Sequence, residues 1–577
     1  MALTLLASAC TGGSKPAPAA HQLPFARGGT LRLTLFGWMD HEFGSRTDDG
    51  KGDYSLDPQN ECCITLEMFR CCLLRTLMSY NGQATADGGA LPRSDLAAGQ
   101  PMVSPNGLTW TFRIKHGLHY APPFQKTEIT APDFIRSLER GLSPSLYPGD
   151  GPGGRAPIDG NYDYLYWVIR GAKDYEDGKV DTISGLEAPD PHTLIVHLTQ
   201  PSGDLPYRLA MPETAPIPPS PTDPGAPMGA AAGHEAGYGR FLVASGPYMI
   251  EGSQNLDFSK PPPDQRPVAG YVPGISLTLV RNPSWKPATD PLRAAYPDRI
   301  EMNLDTAEQA HDREAADFQA GRIDIGYFAE GAADAAHEHL LPRYLADPKL
   351  RPRLYIYPAD FEDWLSMNLA MAPFDDIHVR RAVNLIVDKS AIQRANGGHV
   401  EADPAGHLAW DSLENNILVN YDPYGTASHT GDLARARDEM RQSRYDANHD
   451  GRCDARACAS VRMYFFSGDP FQQQEAHILR QDLARIGLIL DPKFVPFDQA
   501  MSKEDDPRSH TPIATDGTFK DFPSGSSFFQ RFVADPGPDR SLIGATSDQL
   551  RQWGYTVRSV PNVSHRFDSC VQEVGLA

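Results

Sequence analysis

The chain has 577 residues, 40% of them hydrophobic and 22% charged, a globular composition long enough for several domains of about 150 residues each. A formal net charge of −21 repels phosphate backbones and argues against nucleic acid as a partner. Beyond the first residues no apolar run reaches the roughly 18 needed for a membrane-spanning helix.

Met1 to Cys10 reads MALTLLASAC. The apolar stretch Ala2–Leu6 and the small residues Ser8 and Ala9 before Cys10 resemble a bacterial lipobox, whose cysteine carries lipid after cleavage; Ala7 stands where leucine is usual. The basic region of a leader is missing and the run before Cys10 is shorter than the roughly 15–30 residues of a full signal, so the leader is expected to be incomplete. The alternative is an unstructured N-terminus with an unmodified cysteine. On the lipoprotein reading, residues 1–27 are a signal remnant and tether rich in Gly, Ser, Pro and Ala. The chain is then exported and lipid-anchored on the outer face of the bacterial cytoplasmic membrane, within the cell envelope or periplasm.

Gly28–Gly37 alternates around Leu31, Leu33 and Leu35, which predicts a strand. Glu67–Tyr80 is an apolar run predicted as helix, ending at the Asn81-Gly82 turn. Leu108, Trp110, Phe112 and Ile114 alternate with polar residues as a half-buried strand. Thr130 is placed to cap a helix with Pro132 in its first turn and Phe134, Ile135, Leu138 and Leu142 on one face. Gly149–Asp159 reads as a loop, Glu187–Thr199 as a turn and a strand, and Asp204–Glu235, rich in Pro, Ala and Gly, as a long surface connection. Gly246–Ile250 begins a strand, Ile275–Arg281 is another, and Gln472–Ile486 is a helix with Ala476, Leu479, Leu483 and Ile486 in register. Strands alternating with helices indicate an α/β architecture.

Eight cysteines, Cys10, Cys62, Cys63, Cys71, Cys72, Cys453, Cys458 and Cys570, leave an odd number once Cys10 is lipidated. Export permits disulfides, and Cys453 and Cys458 are close enough in sequence for a local one. In one straight helix, positions nine apart are about 13.5 Å apart, beyond the roughly 7 Å a disulfide spans. Cys62 and Cys63 therefore reach Cys71 and Cys72 only across a bend, or these residues pair elsewhere, for instance with Cys570. Zinc is the alternative, although vicinal pairs lack the usual gap of about two to four residues between ligands.

Catalytic signatures are missing. Gly149, Gly151 and Gly154 match G-x-G-x-x-G, but Pro152 sits inside the motif and no strand precedes it. No phosphate-binding G-K-[ST], G-x-S-x-G or H-E-x-x-H occurs, and His337-Glu338-His339 reads as a polar triplet on the surface rather than a metal site. One metal motif remains. Asp446, Asn448, Asp450, Gly451 and Asp454 match positions 1, 3, 5, 6 and 9 of a calcium loop, with Ala457 where the bidentate glutamate belongs. The segment is either a structural Ca2+ site or an Asp/Asn-rich turn; no cofactor is required.

Asn368–Ile392, NLAMAPFDDIHVRRAVNLIVDKSAI, resembles the N-x-x-x-x-P-F-D-D-x-x-V-R-x-A pattern of extracytoplasmic solute-binding proteins of ABC importers, in the family 5 class of oligopeptide, dipeptide and nickel binders. Similar segments follow the family's order: Ser55–Pro58 (SLDP), Leu73–Gly82, Ser104–Tyr120, Ile129–Ser137, Ala244–Tyr248, Arg281–Trp285 and Gly321–Asp324. The resemblance covers nearly everything from Gly28 onward. It implies a two-lobed periplasmic-binding-protein fold of type II with an extra domain, mixed sheets and an interlobe cleft. Domain I would comprise 28–60, 195–330 and 525–577, domain II 61–194, and the second lobe 331–524.

The same resemblance implies a non-enzymatic protein that captures di- or oligopeptides between its lobes, as a monomer, and delivers them to the transmembrane subunits of an ABC permease. In peptide binders of the family an aspartate in a W-x-x-D-Y segment meets the peptide's ammonium. The matching stretch here is Gly517–Pro523, which puts Asp521 on that aspartate, with Phe519 beside Thr518 in place of the tryptophan. Trp364 and Asn368 from the second lobe, and Tyr54 and Ser55 from the first, are further candidates for the cleft lining. The competing readings are a different cargo in the same fold (a metal chelate, sugar or opine), a secreted hydrolase, and a surface sensor or adhesin.

Overall fold

A computed structural model describes residues 26–36, 56–59, 67–84, 87–143, 166–234, 237–305, 310–326, 341–356, 361–408, 421–529 and 540–561. The alternation around Leu31 and Leu33 forms β1 (Thr30–Phe36), and both leucines pack against the first core. The small pair β2 (Met78–Ser79) and β3 (Arg93–Ser94) follows. Next comes an antiparallel sheet of β4 (Met102–Val103), β5 (Thr109–Arg113), β6 (Leu186–Asp190) and β7 (Thr193–His197), ordered β4-β5-β7-β6. Trp110 and Phe112 turn inward from β5, as period-2 alternation requires. Then β8 (Tyr248–Ile250), β9 (Tyr271–Val272), β10 (Ser276–Arg281) and β11 (Arg299–Asp305) bring the chain back to β1. The order is β1-β11-β10-β8, with β9 on β10 and β1 parallel to β11 in the register Leu31↔Ile300.

The helix predicted after Thr130 runs Ala131–Gly141. Thr130 and Asp133 form a reciprocal capping box, and Phe134, Leu138 and the following Leu142 are buried. Four expectations fail in whole or in part. Helix over Glu67–Tyr80 stops at Leu73, and the chain then extends into β2. Leu73 through Ser79 are all buried, so no face is left to give a helical period. Cys71 bonds to its neighbour Cys72, a pairing that the nine-residue spacing argument did not consider. Glu187–Thr199 is a full hairpin, β6 with β7, rather than one strand. The Asp204–Glu235 connection is on the surface only in part: Leu209 to Pro218 are buried without exception, while Pro221 to Gly225 are exposed. Proline has no amide donor to satisfy, so a segment such as Pro212, Pro216 and Pro218 can be buried without a sheet or helix around it.

Two buried ion networks fasten these pieces. Arg75 and Arg293 share Asp95 and Asp290, with Arg75–Asp95 at 2.7 Å and Arg293–Asp95 at 2.8 Å. Burial opposes charge on Asp95, but Arg293 and Arg75 hold its carboxyl below the ordinary range. Arg140, fully buried in the capped helix, makes a two-pronged contact with Asp57 at 2.9 and 2.6 Å and lies over the Tyr238 ring.

The second half builds its own core, from Phe374 to Ile513. Here β12 (Phe361–Met367) pairs antiparallel with β15 (Ile513–Phe519), and β13 (Val461–Phe466) runs parallel to β14 (Leu490–Val495). The helices Ile377–Ile386 and Pro470–Ala484 start at Asp376 and Asp469, whose carboxylates accept from backbone amides of the first turn. Residues 540–561 were assigned to domain I by resemblance. Their described contacts run to the second lobe: Leu542, Leu550 and Tyr555 cluster with Leu369 and Ala370, and Arg540 pairs with Glu504 at 3.1 Å. Among the described residues no helix is long and apolar enough to cross a membrane.

Candidate functional site

Strand β15 belongs to the second lobe, yet Phe522, three residues past its end, is buried in the first core. The Phe522 ring lies 6.0 Å from Tyr207 and under the guanidinium of Arg208. Arg208 is paired with Asp204 at 2.7 Å, and Asp204 also accepts from the Ser526 hydroxyl at 2.6 Å. The Ser527 hydroxyl accepts from the Asp521 amide at 2.9 Å. Residues 520–528 are thus a crossover whose far end is tied down in the first lobe, and Asp521 sits on it, half-buried.

A second carboxylate shares this place. Glu213 comes from the buried proline segment; its carbonyl oxygen accepts from Gln59 and Ser137. Among the described residues neither of its buried carboxylate oxygens has a hydrogen-bond partner. Burial pushes the Glu213 carboxyl up to about 8; its own amide and Arg70 oppose that rise, and Asp521 adds to it. Arg70 in turn lies 5.0 Å over the Tyr80 ring, and burial raises the Tyr80 phenol far above its usual value. Asp521, Glu213, Arg70 and Tyr80 therefore form one electrostatically linked group, carried by the crossover, the proline segment, the short helix after Glu67 and the end of β2.

The second lobe supplies aromatic surface. On β12, Leu365 and Met367 face the second core, so the alternate residues Glu362, Trp364 and Ser366 point the other way. Trp364 meets Phe528 of the crossover edge-to-face at 5.9 Å. Opposite Asp363, Gly517 cannot carry a side chain: a Cβ there would come within 2.5 Å of the Phe361 ring and 2.7 Å of the Asp363 carboxylate. Two buried carboxyls lie behind this surface. Burial, with Asp363 and Asp469 adding, pushes Glu475 up to about 7. Burial also pushes Glu504 up to about 7, against Arg540.

Residues 92–539 match the profile of the bacterial extracellular solute-binding proteins, family 5. The chain belongs to that family. Its members are binding proteins rather than enzymes, and the two-lobed α/β fold is theirs. One curated relative is the glutathione-binding protein GsiB of Salmonella choleraesuis, 23% identical over 413 residues, or 71% of this chain and 62% of that protein. GsiB of Escherichia coli is 24% identical over 388 residues, 67% of this chain and 58% of that protein. The matched region thus spans about three fifths of the length of these relatives. Among solved structures, the clavulanic acid biosynthesis oligopeptide binding protein 2 superposes with a TM-score of 0.68 at 26% identity, covering 95% of this chain and 87% of that one. The Helicobacter pylori periplasmic binding protein DppA, in complex with the peptide STSA, gives 0.57 at 16% identity over 96% of this chain and 90% of that one.

Of the residues named from the sequence of this family 5 protein, Asp521 and Trp364 lie on the crossover and facing it. Asn368 is corrected: it is buried and its amide is spent internally. Its Nδ2 donates to the Thr511 carbonyl and the Tyr555 hydroxyl at 3.1 and 2.9 Å, and its Oδ1 accepts from the Ala370 amide. It ties the C-terminal segment to β12 and has no donor to offer a ligand. Phe519 pairs with Phe361 across β15 and β12. Tyr54, Ser55, Cys10, Cys62, Cys63 and Cys570 lie outside the described residues. Sequence reading missed Glu213, Arg70 and Tyr80; a glutamate enclosed in MPETAPIPP was the available signal.

The acidic loop of the second lobe is tightly wound. Asp446 is buried and accepts from the amides of Asp450 and Gly451 at 3.2 and 2.8 Å. The carboxylates of Asn448's neighbours Asp450 and Asp454 accept from the amides of Arg452 and Asn448 at 2.9 and 3.3 Å, and Asn448 Oδ1 accepts from the Asp450 amide at 2.8 Å. Gly451 has φ +87°, and a Cβ there would meet Arg437 at 2.7 Å. Cys453 and Cys458 are joined by a disulfide.

Proposed function

We propose that this protein captures peptides bearing a free α-amino group between its lobes and hands them to the membrane subunits of an ABC importer. The observation that carries the reading is the pair Asp521 and Glu213, two acidic side chains at the interlobe crossover, one of them buried with no hydrogen-bond partner among the described residues. An enclosed carboxylate without a partner is costly, and an ammonium offsets that cost by a charge-assisted bond. Tyr80, Tyr207, Trp364 and Phe528 supply apolar walls for a variable side chain. The peptide- and glutathione-binding names of its relatives agree with that chemistry.

The test is calorimetry with free and N-acetylated peptides on wild type and Asp521→Asn. Leaving an enclosed ammonium without its counter-charge costs about 3–5 kcal/mol, or roughly two to four decades in Kd. Acetylation should weaken binding to wild type and add little in the variant, because both changes remove one interaction. Equal affinity of wild type for free and acetylated peptides would sink the assignment, and ligand released from denatured protein would then identify the real cargo by mass spectrometry.

The protein works as an exported monomer held at the outer face of the cytoplasmic membrane by lipid on Cys10. The small residues before Cys10 and the Gly-, Ser-, Pro- and Ala-rich segment after it support this. Cys10→Ser in the precursor should move the protein into the soluble fraction, and unchanged membrane association would rule lipid attachment out. Capture requires no cofactor; Asp446, Asn448, Asp450 and Asp454 hold one structural calcium ion.

A further inference from the structure

Far from the crossover, the edge of the four-stranded sheet brings together three metal-ligating side chains that no catalytic or cargo role uses. His116 lies in the turn after β5, Glu128 opposes His119 in a short antiparallel bridge, and His192 occupies the turn between β6 and β7. The backbone fixes all three. The pairing Arg113↔Thr193 and the bond from the Ile114 amide to the His192 carbonyl at 2.9 Å set the first and third side by side. The Ile129 amide donates to the Leu118 carbonyl at 2.8 Å, which holds the second beneath them.

The ligand atoms of His116, Glu128 and His192 all lie within 4.8 Å of one another. Glu128 Oε1 is 3.2 Å from His192 Nε2 and accepts from the Gly117 amide at 2.6 Å, which orients the carboxylate. The His116 and His192 rings stack at 3.7 Å. In a tetrahedral zinc site, ligands about 2.0–2.2 Å from the ion are roughly 3.3–3.5 Å from each other. Glu128 and His192 already stand at that spacing, and His116 must turn out of its stack on His192 to complete the set. His116 is exposed, so an ion enters from solvent without opening the fold.

We propose that His116, Glu128 and His192 bind one divalent transition-metal ion, with the fourth position open to water. Two imidazole nitrogens and one carboxylate suit zinc, nickel or copper; calcium and magnesium prefer all-oxygen shells. A neighbouring pair shows what is special here. His197 and Glu187 on the same hairpin are in contact at 3.0 Å but gain no third ligand among the described residues.

The experiment is competition between untagged full-length protein and a chromophoric chelator for Zn2+, repeated with Ni2+ and Cu2+. One equivalent should bind per chain. His116→Ala, Glu128→Gln and His192→Ala should each weaken binding by more than about 100-fold, above the 10–100-fold that loss of a mere supporting partner gives. His197→Ala should change it less than twofold, and millimolar Ca2+ should not compete. His116→Ala removes an exposed turn side chain, and its melting temperature without metal should match wild type. Absence of stoichiometric binding overturns the proposal, as does binding that survives His116→Ala with His192→Ala or that is lost equally in His197→Ala.

Discussion

At the residue scale, Glu213 makes the cleft sensitive to pH. Its folded value of about 8 lies above the ordinary 4.5, so between those limits the folded protein holds a proton that the unfolded chain has released. Stability therefore falls as pH rises across that window and levels off above it. A cargo ammonium reverses the local field and draws the carboxyl back toward ionisation. Binding near neutral pH should thus release up to one proton, and affinity for an amine-bearing cargo should rise as pH climbs toward 8. Titration calorimetry in two buffers of different ionisation enthalpy reads the proton directly. Glu213→Gln should abolish the buffer dependence; a dependence that persists in that variant would place the proton elsewhere.

At the element scale, the acidic loop is where local sequence says most about local structure. Alternating Asp and Asn side chains bond the loop's own amides, and Gly451 takes the left-handed turn. The same oxygens keep lone pairs for an ion, and without the glutamate missing at Ala457 the affinity should be modest. Chelation should lower the melting temperature without changing peptide affinity, because the loop is remote from the crossover. If elemental analysis of protein prepared in calcium finds none, the loop is a turn alone. The capped helix Ala131–Gly141 and strand β5 were equally legible, because a cap and a two-residue alternation are written within a dozen residues. Asp521 and Trp364 are candidates taken from the family resemblance, and the crossover places them near each other. Glu213 was hidden because a proline-rich stretch looks like surface: Gln59 and Ser137, from distant segments, hold its carbonyl inside, which no local pattern encodes. Residues 74–79 defeated the helix reading for the related reason that an all-buried segment carries no period.

At the scale of the whole molecule, two cores are joined by a crossover, and cargo that touches both lobes should favour the closed arrangement. Small-angle scattering should show a smaller radius of gyration when peptide is added, and an unchanged radius would mean that binding is confined to one lobe. Phe522→Ala should cost about 3–5 kcal/mol, seen as a lower denaturation midpoint. The depth of Phe522 has one more consequence. Because β15 ends at Phe519 and Phe522 is already buried in the first core, Lys520 and Asp521 span the step between the two cores, and closure is expected to pivot beside them. A point beside a fulcrum sweeps a short arc while the far rim sweeps a long one. A cargo amine anchored on Asp521, as proposed, would meet nearly the same geometry whether the cleft is open or shut, so docking could precede closing. The first-encounter rate should then be indifferent to peptide length, and the lifetime of the complex should grow with every residue that reaches the rim.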